Sequence, residues 1–115
     1  MSYQWGIYQA NLDPTTGREQ AGERPVLVIS AEPLNERYAV VMVAPITSRK
    51  NNRQARLGEV LLPVGIGVLP RESFALLYQV RTLDKSRLGR RYGEITDTAL
   101  QVLMLRTIAD CFDID

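Results

Sequence analysis

Two stretches, RPVLVIS (Arg24 to Ser30) and YAVVMVAPI (Tyr38 to Ile46), are almost continuously apolar and rich in β-branched residues. A strand with one wet face alternates apolar and polar residues. Runs that are apolar at nearly every position present apolar side chains on both faces of a sheet, and each face has to be covered. Only seven residues, Ala31 to Arg37, separate the two runs. Pro33 and Asn35 in that gap predict a short turn or a single helical turn.

The other segments extend the β pattern. YQWGIYQANL (Tyr3 to Leu12) holds aromatics and aliphatics in partial alternation, and the Pro-, Gly- and Thr-rich LDPTTGREQAGE after it reads as a long connecting loop. GEVLLP and ESFALLYQVRTL are strand-like, and RYGEI reads as a final brief strand. Five or six short strands with compact turns predict an antiparallel sheet that curls into a small barrel. The period changes only at the end. In EITDTALQVLMLRTIADCFDID, Thr96 or Asp97 can cap a helix, and Leu100, Leu103, Met104, Thr107, Ile108 and Cys111 recur at spacings of three and four. A second stripe of Val102, Leu105, Ala109 and Phe112 widens the apolar face, which implies burial on two sides and a homodimer, unless the fold covers these residues unaided.

At 115 residues the chain is read as one domain, able to build a core without disulfides. Its apolar fraction of 45% is ordinary, and no run approaches the roughly 20 residues that cross a bilayer. The first residues, MSYQWGIYQ, lack the basic segment and apolar core of a signal peptide. A lone cysteine, Cys111, fits a reducing compartment and reads as a small core residue. Together these features predict a cytoplasmic protein with no membrane segment. Trp5 and Tyr8, among apolar neighbours in the first strand, read as core, and Tyr78 as packed within the sheet with its hydroxyl satisfied.

The net charge is only +1, yet its distribution is uneven. Residues 49 to 91 carry ten Lys/Arg against three Asp/Glu, while both flanking segments are acidic. Such a concentration suits either a polyanion footprint or a solvated basic face. Two clusters supply it. SRKNNRQAR, with Ser48, Arg49, Lys50, Arg53 and Arg56, lacks any hydrophobic period and is expected to be a mobile loop, and RTLDKSRLGRR brings Arg81 and Lys85. Arg81 suits either a phosphate or a pairing with Asp84.

A wider pattern joins these pieces. NLDPTTGREQAGERPVLVIS, then APITS, then YQVRTLDKSRLG, resembles the MazF/PemK family of toxins from type II toxin–antitoxin pairs, and the likeness runs from about Trp5 to the C-terminal helix. Its most specific part is the series Pro14, Gly17, Glu19, Gln20, Gly22, Arg24, Pro25, followed by Thr47–Ser48 and Arg81–Thr82. The resemblance implies an SH3-like barrel with a C-terminal helix, shared with the CcdB relatives. It further implies a homodimeric endoribonuclease that cuts single-stranded RNA at short motifs without metal or cofactor, and a MazE-like antitoxin whose tail crosses the RNA groove. By position, Arg24 and Thr47 match the family's catalytic pair, and Glu19, Gln20 and Gln79 fall where substrate is bound or the site organised.

The residue types suit that chemistry in part. Metal-free RNA cleavage uses the 2′-hydroxyl as nucleophile, so the protein must accept its proton, stabilise the phosphorane and protonate the leaving 5′-oxygen. The chain has no histidine, which removes the usual imidazole pair, and no His/Cys ligand cluster. The planar donor fork of Arg24 matches phosphate oxygens, and Thr47 can hydrogen-bond the scissile phosphate. Neither is a good base at its ordinary pKa. Glu19 is the reserve candidate for that role, its other reading being a solvated loop carboxylate. The chain departs from better-known members in having Gln4-Trp5-Gly6 before the first strand, Arg18 where some carry histidine, and Tyr78 where some carry aspartate. A gyrase-binding toxin of the CcdB type would not need the Arg24 and Thr47 pair, and a catalytically dead binding barrel is the third class.

Overall fold

The computed structural model describes residues 2–114. Seven strands form one antiparallel system: β1 (Gly6–Asn11), β2 (Glu23–Val28), β3 (Val40–Ser48), β4 (Glu59–Leu62), β5 (Ser73–Leu76), β6 (Arg81–Asp84) and β7 (Leu88–Glu94). A short helix α1 (Glu32–Arg37) joins β2 to β3, and α2 (Thr98–Cys111) follows β7. The sheet order is β4-β5-β3-β2-β1-β7, with β6 added on β3. The pairings leave this sheet open between β4 and β7, so the barrel expected from sequence is a strongly curled sheet.

The nine-residue β3 controls the curl. Its first half pairs with β6 (Val41 with Leu83) and its middle with β2 (Val43 with Val28), while its end leaves both to pair with β5 (Thr47 with Phe74). One strand thus serves two partly separate sheets, and side chains alternating along it enter two cores. Leu27, Ala44, Ile46 and Leu62 lie in one cluster with Met104 of α2, and Val26, Val28, Val41 and Val43 lie in another with Tyr8, Leu12 and Leu83. The apolar run of β2 and the second half of the β3 run are therefore buried on both faces, whereas Tyr38, Val40 and Met42, 37–55% exposed, leave one face uncovered where β3 begins. The fold covers most of these residues unaided, and the apolar face where β3 begins is the part of the strands it leaves open.

Helix α2 differs. The Asp97 side chain caps it, accepting from the Leu100 N–H at 3.0 Å. Met104 is fully buried and Leu100 and Ile108 pack against the same cluster, but Val102, Leu103, Leu105 and Phe112 are 45–63% exposed. Cys111, read as a core residue, is exposed, because the helix turns this part of its stripe away from the sheet. The run ESFALLYQVRTL, read as one strand, is broken by a single turn of 3-10 helix at Leu77–Gln79. That turn points Leu77 inward and Tyr78 outward, so Tyr78 is 53% exposed and not packed within the sheet. Trp5 and Tyr8 do belong to the two cores.

Candidate nucleic-acid interface

The turn at Leu77–Gln79 and the loop between β1 and β2 meet through Gln79. Its Oε1 accepts from the Gln20 N–H at 2.9 Å, and its Nε2 donates to the Tyr78 hydroxyl at 3.0 Å. At the loop's base, Arg81 donates to the Leu12 carbonyl at 3.0 Å, and Arg87 reaches the Asp13 carbonyl. The loop also closes on itself, with Leu12 N–H on the Gly22 carbonyl and Gly22 N–H on Asp13.

Two grooves border this junction. The larger, about 590 Å³, is lined by Arg18, Glu19, Gln20, Pro45, Tyr78, Gln79, Val80 and Arg81. The smaller, about 230 Å³, is reached past Gln20 and Tyr78, which line both, and adds Thr47, Ser48, Lys50, Arg53, Arg56 and Glu59. Five cationic side chains and two carboxylates line the pair, so the basic excess of the middle of the chain converges here with the Glu19–Gln20 loop.

Glu59 was not among the residues singled out from sequence. Its side chain is 2% exposed and meets Arg53 at 2.8 Å, and it also accepts from the Arg56 N–H at 2.9 Å. Burial pushes this carboxyl's pKa up, but the hydrogen bonds from Arg53 and Arg56 and their positive charge outweigh burial and hold it below the ordinary value. The bond to Glu59 in turn raises the pKa of Arg53, whose guanidinium lies 4.0 Å over the Phe74 ring. Arg49 bonds the Arg53 and Asn52 carbonyls and pairs with Glu72 at 3.1 Å. The segment expected to be a mobile loop is thus braced from within, because two of its arginines find carboxylates on β4 and just before β5. Lys50 and Arg56 are the exposed cations of this segment.

The other candidates divide as follows. Thr47 and Ser48 end β3 inside the smaller groove. The last pair of the β2–β3 ladder is Val26 with Pro45, and continuing that register by two residues sets Arg24 across from Thr47 where the two strands part. Arg24 borders neither groove; its Nε donates to the Ala21 carbonyl at 3.0 Å, which folds the head group back on its own loop. Glu19 lines the larger groove while one oxygen accepts from the Thr16 N–H at 3.0 Å. Arg81 lies in the groove and not against Asp84, whose carboxylate accepts from the Ser86 N–H. Lys85 is not brought to the site. Its ammonium sits 5.0 Å from the Tyr3 ring, outside the residues that line either groove. Among the described residues no three His, Cys, Asp or Glu side chains come together as a metal site would require.

The chain that folds this loop beside a strand-end threonine and a cationic groove matches, over residues 3–109, the family of PemK-like, MazF-like toxins of type II toxin–antitoxin systems. The chain belongs to this family. It is 43% identical to the protein named Endoribonuclease MazF6 of Mycobacterium tuberculosis over 91 residues, covering 77% of this chain and 78% of that one. It is 34% identical to Endoribonuclease MazF of Staphylococcus saprophyticus over 101 residues, covering 83% and 78%. Among solved structures, MazF from Deinococcus radiodurans superposes with a TM-score of 0.79 at 26% identity, covering 96% of each chain. The family match spans both halves of the site, the loop that carries Glu19 to Arg24 and the strand ends that carry Thr47 and Arg81.

Proposed function

We propose that this chain is the toxin of a type II toxin–antitoxin pair and acts as a metal-independent, sequence-specific endoribonuclease on single-stranded RNA. The observation that carries the reading is the convergence of three elements on one surface: the Gln20 loop, the Thr47–Ser48 end of β3 and the braced basic segment, which together line one cationic groove system. Two relatives that are at least a third identical bear the name endoribonuclease.

In this reading the basic rim holds the phosphate backbone, with Lys50, Arg56, Arg18 and Arg81 as the cations nearest its path. The 2′-oxygen attacks the adjacent phosphorus as its proton is removed, and the bond from phosphorus to the 5′-oxygen breaks as that oxygen gains a proton. The products are a 2′,3′-cyclic phosphate and a 5′-hydroxyl. Arg24 stabilises the doubly charged phosphorane, and Thr47 donates a hydrogen bond to a phosphate oxygen. For this, Arg24 releases the Ala21 carbonyl and swings across the gap toward Thr47, a rotation of one half-buried side chain. Glu19 is the carboxylate of the larger groove and has one oxygen free to take the proton. A MazE-like antitoxin would neutralise the groove, and the uncovered apolar stripe of α2 would be closed by a second copy of this chain.

The deciding experiment is digestion of a long unstructured RNA in excess EDTA by wild type and Arg24→Ala, with the cut ends mapped. Cuts at a few sites with 5′-hydroxyl ends, made by the wild type alone, are expected. Absence of cleavage by folded, antitoxin-free wild type across diverse RNAs would overturn the enzymatic reading.

A further inference from the structure

Tyr78 stands at the junction of the site with no duty in the core. Its neighbour Leu77 is fully buried, whereas Tyr78 is 53% exposed. It borders both grooves and also a third hollow of about 440 Å³, formed with Leu57, Gly58, Thr107, Asp110 and Cys111.

The ring is nevertheless fixed at both ends. Its backbone N–H donates to the Gly58 carbonyl at 3.1 Å, and its Cβ lies so near Gly58 that a Cβ there would come within 2.7 Å. At the other end the hydroxyl accepts from Gln79 Nε2, and Gln79 is held by the Gln20 N–H. A half-exposed aromatic held in this way loses little further rotamer freedom when a partner covers it. A second, independent observation lies beside it. Gln20 Oε1, on a residue that lines the same two grooves, is buried without a hydrogen-bond partner. A buried, unpartnered acceptor requires an explanation, and a donor brought by a ligand supplies one.

We propose that Tyr78 is a stacking platform for one nucleobase of the bound RNA, and that Gln20 Oε1 accepts an N–H from that same base. The proposal rests on the RNA-cleaving reading for the nature of its ligand. A flat π-face, an adjacent acceptor and a cationic rim fit a base on a single-stranded backbone, since every base offers a face to stack and the rim follows its phosphates. Tyr78 here is a positioning residue: it sets which nucleotide is gripped beside Thr47 and takes no part in proton transfer.

The test uses a short fluorescent single-stranded RNA of mixed sequence whose 2′-oxygens are all methylated, so that binding is read without cleavage. Wild type, Tyr78→Phe, Tyr78→Trp and Tyr78→Leu are compared by anisotropy over a range of salt. The two aromatic variants keep wild-type affinity. Tyr78→Leu raises Kd about tenfold, which corresponds to about 1.4 kcal/mol and lies within the range of a single base–aromatic stack. The slope of log Kd against log salt stays the same, because stacking releases no counterions. An abasic nucleotide moved along the RNA weakens wild type at one position and weakens Tyr78→Leu less there, the remaining penalty being the lost Gln20 bond. Equal affinity of wild type and Tyr78→Leu, or an abasic penalty as large in Tyr78→Leu as in wild type, would overturn the platform while the ribonuclease reading stood. Failure of folded wild type to bind any RNA would overturn both.

Discussion

Arg53 and Glu59 meet at two points, Nη1 to Oε1 at 2.8 Å and Nη2 to Oε2 at 3.3 Å, over the face of Phe74. The contact spans the base of the basic segment and turns one of its cations into a brace. Glu59→Gln keeps the shape but loses the charge-assisted bonds, and is expected to cost on the order of 1–2 kcal/mol in urea unfolding near neutral pH. The sign of the pH dependence follows from the lowered carboxyl pKa. The unfolded chain takes up the proton first, so the stabilisation is fully present above the ordinary value of 4.5 and is lost as pH falls through the lower folded one. Glu32 behaves alike: burial raises its pKa, but bonds from Asn35 and the Gln4 and Tyr3 N–H groups outweigh that and lower it. Unfolding free energies measured from neutral pH down into this acid range should therefore fall steeply for wild type and less steeply for Glu59→Gln and Glu32→Gln. An equally steep acid limb in both variants would contradict this account.

Much of this architecture was legible in sequence, for identifiable reasons. The runs at β2 and β3 announced two-sided burial because nearly every position was apolar, which holds for β2 and the second half of β3 but not for Val40 and Met42, and Thr96 or Asp97 announced a helix start because a cap is a local device. The break at Leu77–Gln79 was hidden, since FALLYQV contains no Gly or Pro and the turn is imposed by packing Leu77 inward. The bracing of Arg49 and Arg53 was hidden for another reason. Arg49 and Glu72 are 23 residues apart in sequence, and only the folded sheet makes them neighbours. A polar, aperiodic segment reads as loose when its partners lie elsewhere, and Glu59, flanked by apolar strand residues, carried no sign that it was one of them. Lys85 shows the converse. It belongs to a basic cluster in sequence but lies over Tyr3 in space.

Charge placement makes the RNA contacts separable. Lys50 and Arg56 are exposed beside the smaller groove, whereas Lys85 sits over Tyr3. For the methylated RNA, Lys50→Ala and Arg56→Ala should each reduce the salt slope by about 0.7, the single-strand value per phosphate neutralised. Lys85→Ala should leave the slope unchanged. Titrations at several salt concentrations give all three numbers, and an unchanged slope for both groove variants would remove these cations from the backbone path.

The apolar stripe of α2 provides a test of assembly. Val102, Leu105 and Phe112 recur at helical spacing on one side and stay exposed while Met104 faces the core. Leu105→Glu places a charge on that stripe without touching the buried face. Sedimentation of wild type should show a dimer, and the variant should sediment as a folded monomer at the same concentration. A variant that stays dimeric would place the interface elsewhere.

Gly58 links the basic segment to the Tyr78 turn, and its backbone conformation explains why no larger residue serves. Its φ of +80° lies in the left-handed region, and an added Cβ would meet the Tyr78 Cβ at 2.7 Å. The obstructing atom is the root of a side chain whose own N–H is bonded to the Gly58 carbonyl, so rotation of the tyrosine cannot relieve the clash. Gly58→Ala is therefore expected to cost about 1–2 kcal/mol for the left-handed backbone alone, with a further loss from displaced Tyr78. In RNA binding the variant should resemble Tyr78→Leu: a weaker Kd at an unchanged salt slope. Loss of stability with wild-type affinity would mean that the tyrosine finds its position without this glycine, and that the close approach serves the fold only.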